Sequence, residues 1–150
     1  MKNLMVLLES IYVKKGMEVY KQAVDLLPQI RDPKERFYIL EMTIAYGQTY
    51  NMELEYVRSL IPQAKSLALE HYEDKENYIA ILMSEADFYL AEGKLKGSID
   101  ILLDGIKVAE EERNVFVQAV GYYKIGYVYY IKYNHEEADF YFEKGSMLLR

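Results

Sequence analysis

Apolar residues return every three to four positions along the whole chain, and no run of alternating apolar and polar residues is long enough to make a sheet. The pattern predicts an all-α protein. Interruptions at Lys15-Gly16, between Pro28 and Pro33, near Asn51, between His71 and Glu76, between Gly93 and Gly97, near Asn114 and at Tyr133-Asn134 delimit the helices. Eight are expected, at 2–13, 16–29, 33–50, 53–71, 75–92, 95–112, 114–132 and 135–149. Paired in order they make about four hairpins in a single domain over 1–150. Several interruptions have a local cause. Asp32 ahead of Pro33 is an N-cap followed by proline at the first helical position, where the missing N–H has no intrahelical partner to lose. Glu92-Gly93-Lys94 supplies a left-handed C-cap, and Asn134 caps the last helix with Glu137 placed to reach back in a capping box. Pro62 falls inside the fourth helix and predicts a kink or break near residues 60 and 61.

One pattern occurs twice, forty residues apart. Ala86, Tyr89, Gly93, Ser98, Leu102 and Gly105 are answered by Gly126, Tyr129, Tyr133, Ala138, Phe142 and Gly145. Small residues where two helices must touch, with large residues filling between them, describe a helix hairpin that stacks on copies of itself. Stacked hairpins offer an extended surface, so the class of function indicated is a scaffold that holds another polypeptide.

Composition and charge narrow this further. The 150 residues are 51% hydrophobic with three prolines and eight glycines, which describes an ordered globular chain rather than a linker. The net charge of −6, with lysines interleaved among glutamates as in Lys14-Lys15 and Glu18, gives no basic stripe for nucleic acid. Glu110-Glu111-Glu112-Arg113 reads as a polar helix end. Without cysteine there is no disulfide, thiolate metal site or thiol nucleophile. The apolar run from Leu4 through Leu8 is too short for a secretory core segment, and the apolar stretch 115–133 is interrupted by Gln118, Lys124 and Lys132. A cytoplasmic protein with no membrane or nucleic-acid partner is expected. His71 and His135 are both expected in solvent and do not make a helical metal pair. The segment 93–98 lacks phosphate-loop spacing, and the acids Glu136-Glu137, Asp100 and Asp104 fall on wet helix faces. No catalytic residue, metal site or cofactor is therefore expected.

In the last hairpin Tyr122, Ile125, Gly126, Tyr129, Ala138, Phe142 and Gly145 follow the order and spacing of the tetratricopeptide repeat signature, and the chain resembles that family. Leu82, Ala86, Tyr89, Gly93, Ser98, Leu102 and Gly105 repeat the match in the preceding hairpin, with Glu85 where the family usually has leucine. The forty-residue period is similar to the longer-helix versions in peptide-sensing bacterial regulators and motor-protein light chains. Upstream, the stretch containing Ile30, Asp32-Pro33, Arg36 and Leu40 looks like a divergent repeat junction, with either Ala45 or Gly47 as the small contact residue. The resemblance implies a right-handed α-α superhelix whose first helices line a concave groove that seats a peptide or partner helix. Carried over by register, the groove residues are Met83, Asp87 and Leu90 in one repeat and Tyr123, Tyr127 and Tyr130 in the next. Family members that grip a C-terminal carboxylate use a basic, amide-rich clamp. Met83, Asp87, Tyr123 and Tyr127 at those positions argue against that ligand.

An outermost hairpin exposes the face its neighbour would have covered. Here Phe140, Tyr141, Met147 and Leu148 flank the last helix and form the candidate edge for a homodimer or a larger partner. The leading reading is a non-enzymatic adaptor for a protein or peptide partner whose identity the sequence does not give. The alternative is a ligand- or peptide-responsive sensor module without its own DNA-binding domain, and the third reading is an enzyme with an unrecognised helical active site.

Overall fold

A computed structural model describes residues 2–150 of the chain. It is all-α, and no β-strand occurs among the described residues. The chain divides into two compact units, Met1–His71 and Tyr72–Arg150.

The first unit holds α1 (Lys2–Asp25), a 3-10 turn (Leu27–Gln29), α2 (Pro33–Tyr50), α3 (Leu54–Ser59) and α4 (Ile61–His71). The expected helices 2–13 and 16–29 are thus one continuous helix up to Asp25, which corrects the first of the four expected hairpins. The cause is Gly16. Tyr46 of α2 packs directly over the place where a Cβ would stand, and its hydroxyl donates a 2.8 Å hydrogen bond to the Val13 carbonyl. The glycine marks a close approach of two helices here, where the sequence reading took it for a helix break. At the other proline signals the local chemistry acts as expected. The Asp32 carboxylate accepts from the Lys34 N–H at 2.9 Å with Pro33 at the first helical position. The helix carrying Pro62 is interrupted at Leu60, which divides it into α3 and α4. The described residues therefore form seven α-helices, one of them in two pieces. α2 packs against α1, α3 and α4, and Met17, Phe37, Leu40, Ile44, Val57 and Ala64 of these helices are buried.

The second unit consists of α5 (Glu76–Ala91), α6 (Leu95–Glu111), α7 (Val115–Ile131) and α8 (His135–Leu148). Each helix packs on the next in the chain, and α5 also touches α7. The three turns share one design. Gly93, Arg113 and Tyr133 adopt the left-handed conformation. The N–H that follows each of them reaches back to the carbonyl of Tyr89, Ala109 or Tyr129 at 2.9 to 3.0 Å. This is the 6→1 closure of a Schellman motif, which satisfies a terminal carbonyl and reverses the chain in three residues. Asn114 and Asn134 then cap the next helix by accepting from the Val117 and Glu137 N–H groups.

The repeated small residues lie at the helix contacts. Ala86, Ser98 and Gly105, and their counterparts Gly126, Ala138 and Gly145, are all buried. Ser98 donates its hydroxyl to the Ala86 carbonyl at 2.9 Å. A Cβ on Gly126 would stand 2.7 Å from the Phe142 ring and 3.2 Å from the Ala138 carbonyl oxygen. Around these contacts Ala86, Leu102, Ile106, Tyr122, Ile125 and Val128 form one buried cluster. No helix among the described residues is long and apolar enough to cross a membrane.

Two substitutions separate the roles of turn and contact. Tyr133 is 86% exposed at φ 59°, so Tyr133→Gly removes left-handed strain and is expected to stabilise the chain by about 1 kcal/mol. Gly126→Val instead forces Phe142 and the Ala138 backbone aside and is expected to destabilise it by about 1–3 kcal/mol. Paired chemical denaturation curves with unchanged m-values check both signs.

Candidate functional site

The residues assigned to a groove belong to α5 and α7 of the second unit, and their surroundings separate them into two kinds. Met83 and Leu90 are half-buried and pack against the core cluster. They form the floor of the surface between the two helices. Asp87, one turn from each, is exposed, and both its carboxylate oxygens accept from the Lys124 ammonium, at 3.0 and 3.1 Å. That ion pair ties α5 to α7 across the site. Lys124 was read from the sequence only as an interruption of an apolar stretch. Its position three residues before Tyr127 already put it on the same helix face.

Tyr123, Tyr127 and Tyr130 follow the i, i+4, i+7 spacing of one helix stripe, yet they do not behave alike. Tyr123 turns towards α8. Its hydroxyl shares a 2.9 Å hydrogen bond with that of Ser146, its ring centre lies 5.7 Å from that of Phe142, and it covers the bare Cα of Gly145. Tyr127 and Tyr130 are each 53% exposed, and the Tyr130 ring meets the His135 imidazole edge-on at 5.9 Å. The α7 backbone beneath them is fixed from the other side. Gly121 lies against Ile106, and the buried Gln118 amide donates to the Ala109 carbonyl at 3.4 Å. The result is a helix packed on α6 and α8, with two phenol rings in solvent and Lys124 of the ion pair one turn before Tyr127. Such rings supply amphipathic contact area with few torsions to freeze.

The candidate edge on α8 divides in the same way. Phe140 is 57% exposed and Met147 is exposed too. Tyr141 and Leu148 are half-buried against the core cluster. The Tyr141 ring stacks on that of Tyr129, 5.6 Å between centres and 6° from parallel, and lies 6.3 Å from that of Tyr122. Tyr141 and Leu148 therefore hold α8 to α7. The Lys144 ammonium sits 4.8 Å from the Tyr122 ring centre and 5.8 Å from that of Phe140, a cation–π bridge that lays its stem across this surface.

Burial raises the Tyr141 phenol above its ordinary value near 10, with Tyr129 and Glu137 adding to the shift and Lys144 opposing it. His71, His135, Asp100, Asp104, Glu136 and Glu137 are all exposed. No group of three His, Cys, Asp or Glu residues that could hold a metal ion occurs among the described residues. The arrangement can bind by contact and hydrogen bonding, and it brings together no nucleophile, base and orienting group. No protein-family model matches the chain, nor does any curated protein or solved structure.

The Tyr141 shift has a definite sign. A phenol whose folded pKa lies above its unfolded value contributes stability that is complete below about pH 10 and is lost as pH rises through the folded value. Tyr141→Phe cannot ionise, so the loss of helical circular dichroism in alkaline titration is expected to begin at higher pH than in the wild type. An unchanged alkaline midpoint would mean that another group controls that transition.

Proposed function

We propose that the chain is a non-enzymatic, tetratricopeptide-like adaptor of the cytoplasm, which binds a peptide or helix along the exposed face of α7 and the adjoining face of α5. The observation that carries this reading is the division of tyrosines on and around one rigid helix. Tyr122 and Tyr129 are drawn into packing with Tyr141, while Tyr127 and Tyr130 stand in solvent beside the Asp87–Lys124 pair. A helix that needed tyrosine only as filler would bury the ring of each. Exposed aromatic rings on α7, with half-buried Met83 and Leu90 on α5, have the make-up of a protein contact surface, with apolar bodies, polar tips and a charge pair.

The occupant expected is an extended or helical segment with apolar anchors for the tyrosine rings and a polar group that competes for the Asp87–Lys124 pair. An acidic clamp ligand is not expected, because the Lys124 cation at this surface is already paired with Asp87 at 3.0 Å.

The test is selection of binders from a displayed random peptide library, followed by titration of one selected peptide into variants. Tyr127→Ala/Tyr130→Ala is expected to weaken that peptide by at least about tenfold, the scale of a contact-surface aromatic. Phe140→Asp is expected to leave it unchanged. Equal affinity for all three chains would remove the site from α7, and loss only with Phe140→Asp would move it to α8.

A further inference from the structure

Among the described residues, the helix with the most exposed large apolar side chains is neither α7 nor α8. It is α1. Residues 3–12 of this helix are all exposed, because α1 runs on past the level where Gly16 meets Tyr46, near the end of α2. Met5, Leu8, Tyr12, Lys15 and Val19 recur at alternating intervals of three and four, the spacing at which one helix offers a continuous seam to another. Met5, Tyr12 and Val19 are 68%, 69% and 63% exposed. Leu8 is exposed as well, and Leu4 and Ile11 widen the strip. The opposite side of the helix carries Met17, which is buried in the first unit.

We propose that this face of α1 is an interface for a second copy of the chain, with the two α1 helices antiparallel. Three observations favour that occupant. First, the spacing calls for a helix with the same apolar rhythm, and a copy of α1 meets that requirement by identity. Second, the extent of the strip suits a helix of its own length. Leu4, Met5, Leu8, Ile11, Tyr12 and Val19 are all exposed along or beside the seam, over more than four helical turns. By comparison, α8 offers Phe140 and Met147, the first of them already crossed by Lys144.

Third, the charge within the seam selects the direction. Lys15 occupies a seam position. Parallel helices would set it against Lys15 of the other copy, two like charges in a closing interface. A twofold axis passing between residues 12 and 15 of antiparallel helices instead sets Lys15 beside Tyr12 of the other copy. The ammonium then meets an aromatic face, the arrangement that Lys144 already makes with Tyr122 in this protein. The same axis brings Leu8 against Val19 of the other copy. Such an interface is isologous, so it closes at two chains.

Sedimentation equilibrium of the wild-type chain across concentrations up to about 100 µM is expected to give a dimer. Leu8→Glu/Val19→Glu sets acid against acid across the seam, at positions exposed in the monomer. It is expected to raise the dissociation constant at least a hundredfold, with unchanged circular dichroism and melting. Because the chain has no cysteine, crosslinking gives an independent readout. Leu8→Cys mixed with Val19→Cys is expected to form a mixed disulfide dimer, whereas Leu8→Cys alone is not. A wild-type monomer throughout, a dimer indifferent to the double acid, or efficient crosslinking of Leu8→Cys to itself would each overturn the proposal. The second outcome would direct attention to Phe140 on α8.

Discussion

Helices approach within backbone contact only where side chains are absent or very small at the crossing, and that constraint organises both units of this protein. In the second unit the close points are Ala86 with Ser98, Gly126 with Ala138 and Gly145 with Ala119, where a hydroxyl or a missing Cβ lets one helix meet the carbonyls of the other. Gly121 admits Ile106 between α6 and α7. In the first unit Gly16 admits Tyr46, and Gly47 admits Val57. With these distances set, the larger residues between them have one way to interdigitate. The buried cluster of Leu102, Ile106, Tyr122, Ile125 and Val128 follows from that geometry.

The candidate site also depends on it. α7 is held on one side by Ile106 and Gln118 and on the other by Phe142, Tyr141 and Ala138. Its remaining side cannot rotate inward, so Tyr127 and Tyr130 stay in solvent. The tyrosines of this region thus divide by position. Those at the contacts stack on one another, and those on the free stripe keep rings and hydroxyls in solvent. The Asp87–Lys124 pair is half in water and worth no more than about 1 kcal/mol to stability, so its influence lies mainly in fixing the charge pattern of the surface.

Much of this was legible in the sequence where chemistry is local. The proline and asparagine caps, the left-handed Gly93 and the break ahead of Pro62 each follow from the residue present, and the forty-residue recurrence of small residues marked contacts that are indeed buried. What could not be read locally depended on a distant partner. Gly16 was taken as a break because its meaning lies in Tyr46, thirty residues on. Periodicity puts Tyr141 and Leu148 on flanking faces of the last helix without saying which neighbour covers them, and both are half-buried against the core cluster. Register places Tyr123 on the groove stripe, where it is 42% exposed, and its hydrogen bond to Ser146 on α8 depends on a residue distant in the chain. Lys124 was missed because its role needs Asp87 from another helix.

The central claim is that α7 presents some tyrosines for contact and reserves others for packing, on a backbone that does not rearrange. Ring resonances of a chain labelled at tyrosine, recorded by NMR during titration with a peptide selected for binding, test this directly. The account predicts that signals of Tyr127 and Tyr130 shift with saturation while those of Tyr122, Tyr129 and Tyr141 stay in place. Movement of the stacked rings, or perturbation confined to tyrosines outside α7, would contradict it.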